Sequence, residues 1–528
     1  MRGRGALLLT AAALAAALAL FLQRERLIVG SIDLSGFPLD DSWIHFQFAR
    51  NLASGHGFAY NPDVPVAGST APLWTLLLAG MFKIGGAHPA WAKLAGVVGA
   101  LAAAWVARWL ALVWTGDATL GLTAALATAW SAPIVWGALS GMEVTVAAAL
   151  VTGALAAHTA GRIAVSAALV GLAALARPES VLLIPLLWLG GPLTSSRTAI
   201  AWGVPSAILT PWIVFNLRTA GTPLPATAAA KVEGGLVGFL SGAGEPLATT
   251  LLWRPWQFER EWIFWLASVN LLLPVLIVPG LWVLWRRGGR YWVWPASILL
   301  VHPIGMALIA PYRGPAFQEG RYSIQLLPLA VVGAVSALAP LVRAARIQPA
   351  WGRLVCALLL VASLAPLATG ATRYAWAVQN IGAMQVTVGR WVGAQTPAKA
   401  RLALNDVGAI TYLGRREVVD VMGLVTPAII PYRREGEPGV LRYLEQACPD
   451  YLIVFPAWFP SLSTRTDLFT PIHRVKLDHN TVAGADEMVV YETAWNRWRL
   501  APVTCPVPAP KPADSSAGGG GGSLRGPR

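Results

Sequence analysis

"GFPLDDSWIHFQFARNLASGHGFAYNP", residues 36–62, comes just after the first hydrophobic run of the chain, and the reading of everything else depends on it. It sets two adjacent carboxylates, Asp40 and Asp41, close to the point where a first apolar helix ends. Neighbouring anions repel each other, and near lipid neither is cheaply desolvated. After the pair, Ile44, Phe48 and Leu52 recur at helical spacing, with Arg50 and Asn51 among them. An amphipathic helix of this kind is expected to lie along a membrane surface. One reading makes the pair a helix cap, because an Asp at the N-cap satisfies orphan amides. A cap needs one Asp, however, so the alternative gives the pair a chemical role.

Composition supports a membrane setting. Of 528 residues, 55% are hydrophobic and only 12% charged, about half the charge of a soluble domain. Mean hydropathy is +0.56. Hydrophobic segments fall at about 5–22, 71–86, 90–113, 118–140, 142–160, 163–176, 180–190, 198–216, 262–285, 292–310, 323–341 and 354–370, many approaching the ~20 residues that cross a bilayer. The expected fold is an all-α polytopic membrane protein with about 11–12 hydrophobic segments. The first run carries Arg2 and Arg4 before it and "QRER" after it with no small-residue cleavage site, so it reads as an uncleaved helix rather than a signal peptide. The net charge of +14 reads as short basic loops and contact with anionic lipid, not as nucleic-acid binding.

Two long polar interruptions, 23–70 and 217–261, stand out within residues 1–370. Residues 371–500 change character: "ARLALNDVGAITYL" and "DYLIVFP" read as strands, "GVLRYLEQA" as a helix and "EMVVYETAW" as a closing strand, giving a small mixed α/β domain. Residues 501–528, with "PVPAPKP" and "GGGGGS", read as a disordered tail. Cys448 and Cys505 lie after the last hydrophobic run, where an oxidising compartment permits a disulfide; Cys356 lies within a hydrophobic run as a packing residue.

The basic groups at Arg2 and Arg4, at 286–290 and at Arg343, Arg346 and Arg353 are expected on the cytoplasmic side. That puts 23–70, 217–261 and the α/β domain outside, in a multi-pass protein with a cytoplasmic N-terminus. Twelve full crossings would return the last domain to the cytoplasm, so one segment is partial. Either 163–190 is one helix broken at Arg177-Pro178-Glu179, or one of the segments between 71 and 140 does not cross. Residues 71–86, roughly 24 Å long as a helix, are the shortest candidate. The two solutions put Glu143 on opposite sides.

The string Asp40-Asp41, Trp43, Ala49-Arg50-Asn51, Gly55-x-Gly57, Asn61-Pro62 and Pro72-Leu73-Trp74 resembles the first extracytoplasmic loop of the GT-C glycosyltransferases, which use polyprenyl-phosphate-linked sugars. The likeness is to bacterial relatives of the mycobacterial terminal arabinofuranosyltransferases. Further likenesses come in order at "SGMEV" (140–144), "ARPES" (176–180), "GTPLPATAAAK" (221–231), "EGRYSIQLLPL" (319–329) and "NDVGAITYLGRREVVDVMGL" (405–424). Gln47 departs from the pattern where relatives tend to carry Arg, as do Ala67 and Ser69 where they tend to carry Glu and Tyr.

The resemblance implies a glycosyltransferase of the bacterial plasma membrane. Its donor would be a polyprenyl-phosphate sugar, and its acceptor an extracytoplasmic glycan, lipid or protein. Such chemistry needs a base for the acceptor hydroxyl, cations for the departing phosphate and a groove for the lipid. It implies one of Asp40 and Asp41 as the base, slightly favouring Asp40, with its neighbour raising its pKa by repulsion. Glu143 is implied as a second active-site acid, and reads otherwise as a helix N-terminal Glu stabilised by the macrodipole. For the phosphate, Arg50, Lys231 and Arg321 are candidates, with Tyr322 beside Arg321; each cation reads equally as a snorkelling or pairing residue. Arg177 and Glu179 read either as a structural ion pair or as donor-site residues, and His302 either as an acceptor-binding or a core histidine. Trp43 and Trp74 are candidates for stacking on sugar. No metal constellation is apparent, and no cofactor is expected. A transporter of lipid-linked sugars is the competing class, but such folds usually show internal repeats, and no duplication is visible. An inactive scaffold subunit is the third reading.

Overall fold

A computed structural model describes residues 3–185, 194–231, 235–236, 246–287, 299–300, 302–309, 314–344 and 349–505. Its first helix, α1 (Gly3–Val29), is apolar along most of its length, and so are α4 (Ala90–Thr115), α9 (Ser195–Ala220) and the run Trp351–Gln395; each is long enough to span a bilayer. The chain is a polytopic α-helical membrane protein with a small C-terminal sheet.

Several apolar segments do not form one straight helix. Residues 118–140 fold as α5 (Ala118–Ala129) and α6 (Ala132–Leu139), bent by 53°. Ser131 and Pro133 stand at that break, where a proline cannot supply the amide that continuation requires. The segment 262–285 also divides: Thr249–Val269 and Leu272–Arg287 meet at 110°. Between them Asn270 is extended (φ −162°, ψ 117°). Its side-chain Nδ2 donates to the Leu359 carbonyl and to Ser363 Oγ at 2.8 Å each, and its Oδ1 accepts from the Leu272 amide at 3.0 Å. A side chain that satisfies backbone groups locally offers the chain an alternative to the helix ladder.

The question of which segment is partial has an answer in α3 (Pro72–Gly85). Near its start, Trp74 Nε1 donates to the Gly141 carbonyl at 3.1 Å. Just past its end, the Ala87 carbonyl accepts from Tyr412 Oη at 2.8 Å and Lys93 Nζ donates to the Asp33 carbonyl at 3.0 Å. Both ends of this 14-residue helix therefore lie at the level of the first loop, and α3 does not cross. The chain then runs down α4 to Thr115, whose carbonyl accepts from Arg343 Nη2 at 3.0 Å, and returns through α5 and α6. The helices α7 (Val144–Thr159) and α8 (Ile163–Ala176) form one further round trip, so Glu143 and Arg177 both sit at the Asp40 end.

The helix α2 (Asp41–Ala53) corrects an expectation. It does not lie on a membrane surface, because both of its faces are covered. Ile44 and Phe48 pack with Tyr60, Leu402 and Ile410, while Trp43, Phe46 and Ala49 pack with Trp74, Phe82 and Tyr412. The C-terminal domain occupies the space that lipid headgroups were expected to fill.

That domain carries a five-stranded sheet in the order β2-β1-β3-β5-β4. Strands β1 (Arg401–Leu404), β2 (Glu417–Asp420) and β3 (Tyr451–Val454) are parallel; β5 (Glu487–Thr493) pairs antiparallel with β3, and β4 (Phe469–Lys476) antiparallel with β5 at the edge. "GAITYL", read as strand, is instead the helix Gly408–Gly414. Its β-branched and aromatic residues favour a strand locally, but its first amides donate to the Asp40 carboxylate, outside the domain. A disulfide joins Cys448 to Cys505. The tail expected from 501 lies outside the described residues from 506 onward.

Candidate active site

Between α2, the turn after α6, the 3₁₀ segment Pro178–Leu183 and the loop 314–326 lies a cavity of about 170 Å³. Six of the residues singled out from sequence line it: Asp41, Glu143, Arg177, Glu179, Arg321 and Tyr322. They come from four separate stretches and form one network. Asp41, its side chain 32% exposed, accepts from Arg321 Nη1 at 2.8 Å. Arg321 Nη2 donates to Tyr322 Oη at 2.9 Å. The Arg321 and Arg177 guanidiniums each lie 4.9 Å from the centre of the Tyr322 ring, within cation–π range. Arg177 then donates from Nη1 to Glu143 at 2.7 Å and from Nε to Glu179 at 2.5 Å. Gln325 Nε2 reaches Glu179 at 3.3 Å, and His45 Nε2 stands 3.7 Å from the second oxygen of Glu143.

Local sequence explains why these groups meet. Asp41 and His45 are four apart on α2, hence on one face. Gly141 holds φ +75°, and a Cβ there would collide with Phe37 and Phe46; that turn delivers Glu143 to the cavity. Pro178 ends α8, leaving Arg177 extended (φ −145°, ψ 114°). Gln318, Glu319 and Gly320 take φ of +48°, +62° and +78°, and this tight reversal aims Arg321 back at Asp41. Arg321 Nε, Thr227 Oγ1 and Glu143 Oε2 are buried with no hydrogen-bond partner among the described residues. Their residues line the cavity, and unspent donors and acceptors beside a cavity suit a polar ligand.

The other sequence candidates lie elsewhere. The two members of the acidic pair have separate duties. Asp40 is buried, and its two oxygens accept from the Gly408 and Ala409 amides at 2.7 and 2.8 Å. Burial, then the nearby Asp406, hold its carboxyl well above the usual range, with the two amides opposing them. Asp41 contributes least to that shift, so mutual repulsion of the pair is the minor effect. Asp40 does not line the cavity. Arg50 also faces the C-terminal domain: it donates to the Tyr412 carbonyl at 2.7 Å and to Gln47 Oε1, and stacks 4.3 Å from the Tyr412 ring. It does not line the cavity. Trp43 and Trp74 are buried among aromatic and apolar side chains and present no face to a sugar. His302 is buried and off the cavity wall, although Met306, one turn on, lines it. Lys231 ends α10 (Ala226–Lys231), of which Thr227 and Ala228 line the cavity; the Lys231 side chain lies outside the described residues.

Much of the loop string is framework. Asn51 Nδ2 donates to the Ala59 and Tyr60 carbonyls at 3.0 and 2.8 Å. Asn61 pairs with both backbone groups of Val418, at 2.8 and 3.0 Å, extending the β2 edge. Tyr60 Oη donates to the Val407 carbonyl. The departures are framework as well. Gln47 donates to the Tyr60 carbonyl at 2.9 Å, the Ala67 carbonyl accepts from Ala226 at 2.9 Å, and Ser69 Oγ meets Thr75 and the Ala71 amide at 3.2 Å each. None of the three lines the cavity.

Known structures share this arrangement of helices. The chain superposes on ArnT from Cupriavidus metallidurans, solved bound to undecaprenyl phosphate, with a TM-score of 0.56 at 14% identity, over 93% of this chain and 98% of that one. It superposes on the oligosaccharyltransferase of Archaeoglobus fulgidus, solved with zinc and sulfate, with a TM-score of 0.55 at 12% identity, over 91% of this chain and 73% of that one. Both are GT-C glycosyltransferases. The fold is of the GT-C type. Mycobacterial AftD, an arabinofuranosyltransferase, aligns at 17% identity with a TM-score of 0.38 over 91% of this chain and 40% of its own, too loose a superposition to speak to fold. Residues 377–504 match a domain of unknown function, DUF8728. No curated protein sequence matches the chain.

Within this GT-C fold, sequence reasoning missed His45, Gln325, Thr227 and Met306. The spacing Asp41–His45 was the available signal for the first; the others sit among apolar residues whose facing only tertiary contacts decide. Among the described residues, no group of three or more His, Cys, Asp or Glu stands together to hold a metal ion.

Proposed function

We propose that this protein is an integral-membrane glycosyltransferase of the bacterial plasma membrane. In this reading it transfers a sugar from a polyprenyl-phosphate donor to a hydroxyl of an extracytoplasmic glycan, lipid or protein. The observation that carries the reading is a carboxylate, Asp41, on the wall of a cavity that two guanidiniums, Arg177 and Arg321, and Tyr322 also line.

In the reaction, Asp41 takes the acceptor proton as the acceptor oxygen attacks the anomeric carbon. The bond from that carbon to the phosphate oxygen breaks, and its electron pair leaves with polyprenyl phosphate. The departing phosphate gains charge, which Arg321 and, through Tyr322, Arg177 are placed to meet. Arg321 Nε, buried without a partner among the described residues, is the donor left for a phosphate oxygen. Glu143 and Glu179 neutralise Arg177, so Arg321 carries more of the phosphate interaction. The polar wall at Thr227 and Glu143 Oε2 suits sugar hydroxyls.

The test is release of polyprenyl phosphate by the full chain in nanodiscs, across a panel of polyprenyl-phosphate sugars, with and without a crude cell-envelope acceptor. Asp41→Asn is expected to lower turnover of one donor by about 10²–10⁴-fold, the usual contribution of a general base. Equal behaviour of wild type and Asp41→Asn toward every donor would end the assignment.

A further inference from the structure

The four residues Asp40, Asp41, Ser42 and Trp43 are fixed by three parts of the molecule, Asp40 and Trp43 both by the helix Gly408–Gly414. Asp40 binds the amides of Gly408 and Ala409 at 2.7 and 2.8 Å. Asp41 binds Arg321 at 2.8 Å. Ser42 Oγ donates to the Ser140 carbonyl at 2.6 Å, and the Trp43 ring lies 5.3 Å from that of Tyr412. Asp40 occupies the cap position of α2, yet its side chain makes no capping bond to that helix. It caps Gly408–Gly414 instead, across a sequence separation of 368 residues.

The contact is tight from the other side too. A Cβ on Gly408 would collide with the Asp40 carbonyl oxygen and stand 2.6 Å from its Oδ2. The same carbonyl accepts from the Trp43 amide at 3.0 Å, so pressure at Gly408 falls directly on the turn that opens α2. Arg50 and Tyr60 extend the seam, donating to the Tyr412 and Val407 carbonyls on either side of Gly408. Asn61 adds its two bonds to Val418.

We infer that Asp40 is a positioning residue, through which the helix Gly408–Gly414 of the C-terminal domain sets the place of Asp41 in the cavity. The domain is then part of the active-site frame, not only a surface for acceptor. The inference rests on Asp41 being the reacting carboxylate, but its physical core, the coupling between the two segments, has its own test. Reactive groups must be held to within a fraction of an ångström, and a displacement of about 1 Å costs on the order of 10²-fold in rate.

The experiment uses the full chain in nanodiscs and three variants: Asp40→Asn, which replaces one acceptor oxygen by a donor facing an amide; Gly408→Ala, which presses on Asp40 without altering it; and the double variant. Backbone hydrogen exchange is read at residues 41–46 and 408–414, with the thermal midpoint measured beside it. Each single variant is expected to speed exchange in both segments, and the double variant to add little to either. Where the wild type turns over a polyprenyl-phosphate sugar, both variants are expected to lose about 10–100-fold in kcat while the KM for that donor stays within about twofold, because no donor contact is touched. Faster exchange confined to 408–414, with 41–46 unchanged, would overturn the inference. So would losses in kcat and KM that track the thermal midpoint alone. If no donor is turned over by the wild type, the proposed function fails, and the exchange data still decide the coupling.

Discussion

At the scale of residues, one wall of the cavity is a connected network of Asp41, Arg321, Tyr322 and Arg177, closed by Glu143 and Glu179. Arg177 is buried and holds both glutamates at hydrogen-bond distance. Removing one member of a buried ionic group leaves the rest uncompensated, at a cost of about 3–5 kcal/mol. Arg177→Met is therefore expected to lower stability by about 3 kcal/mol or more, read as the shift of an unfolding titration of the full chain in bicelles. Arg321→Lys replaces a planar fork by a point charge. It is expected to keep the fold but weaken polyprenyl-phosphate inhibition by at least about tenfold, measured as the inhibition constant in the transfer assay. The acidic pair illustrates how far sequence reached. That "DD" mattered was legible; which carboxylate faced the cavity was not, because adjacent residues at a helix start point to different sides and only the helix Gly408–Gly414 decides between them.

At the scale of elements, breaks matter as much as helices. The reversal at Gln318-Glu319-Gly320 brings Arg321 to the cavity, and Gly320 is the position that cannot change: its φ is +78°, and a Cβ would collide with the Trp265 ring. Gly320→Ala combines an unfavourable φ with overpacking, together about 2–4 kcal/mol. The expected outcome is a lowered thermal midpoint and a lowered apparent affinity for polyprenyl phosphate, since Arg321 moves with the turn; an unchanged affinity in a folded variant would show that the turn does not set Arg321. Hydrophobic length alone put twelve segments along the chain, but it does not report whether a segment's two ends lie on opposite sides. The non-crossing α3 needed Trp74, Ala87 and Lys93 to be seen with their partners. The strand expected at "GAITYL" failed for a related reason, since a carboxylate 368 residues away satisfies the amides at its start.

At the scale of the whole molecule, the first loop lies between bundle and C-terminal domain, and the seam around it is rich in buried acids. Burial lifts Asp406 and Asp420 from an ordinary 3.8 to about 6 each; Asp420 keeps its charge against that burial by accepting from the Met422 and Val425 amides at 2.7 and 2.8 Å. A carboxyl whose folded-state pKa is raised stabilises the fold fully below its unfolded pKa, and that contribution is lost as pH rises through the folded pKa. For Asp420 the window runs from about pH 4 to about pH 6, and a shift of this size is worth about 3 kcal/mol. The C-terminal domain of the full chain is therefore expected to show slower hydrogen exchange at pH 5 than at pH 7.5, after correction for intrinsic rates. Asp420→Asn is expected to reduce that difference by about half, Asp406 supplying the rest, even where it lowers stability at every pH.

Composition and periodicity, both properties of the sequence by itself, determined the class of the protein. Long apolar runs with few charges must be helices in lipid, because an unsatisfied backbone there is too costly. A shift to short β-branched runs after residue 400 must be a separate sheet. The sequence also carried the cavity's carboxylates and guanidiniums, because buried charges such as Glu143, Arg177 and Arg321 are expensive enough in apolar surroundings to mark a site wherever they occur. Only the tertiary structure decided which groups face one another: Asp41 toward the cavity and Asp40 toward Gly408, Arg50 against Tyr412, α2 between two cores, α3 with both ends on one side. These are properties of contacts between residues far apart in the chain, and no local spacing encodes the direction from which a distant partner arrives.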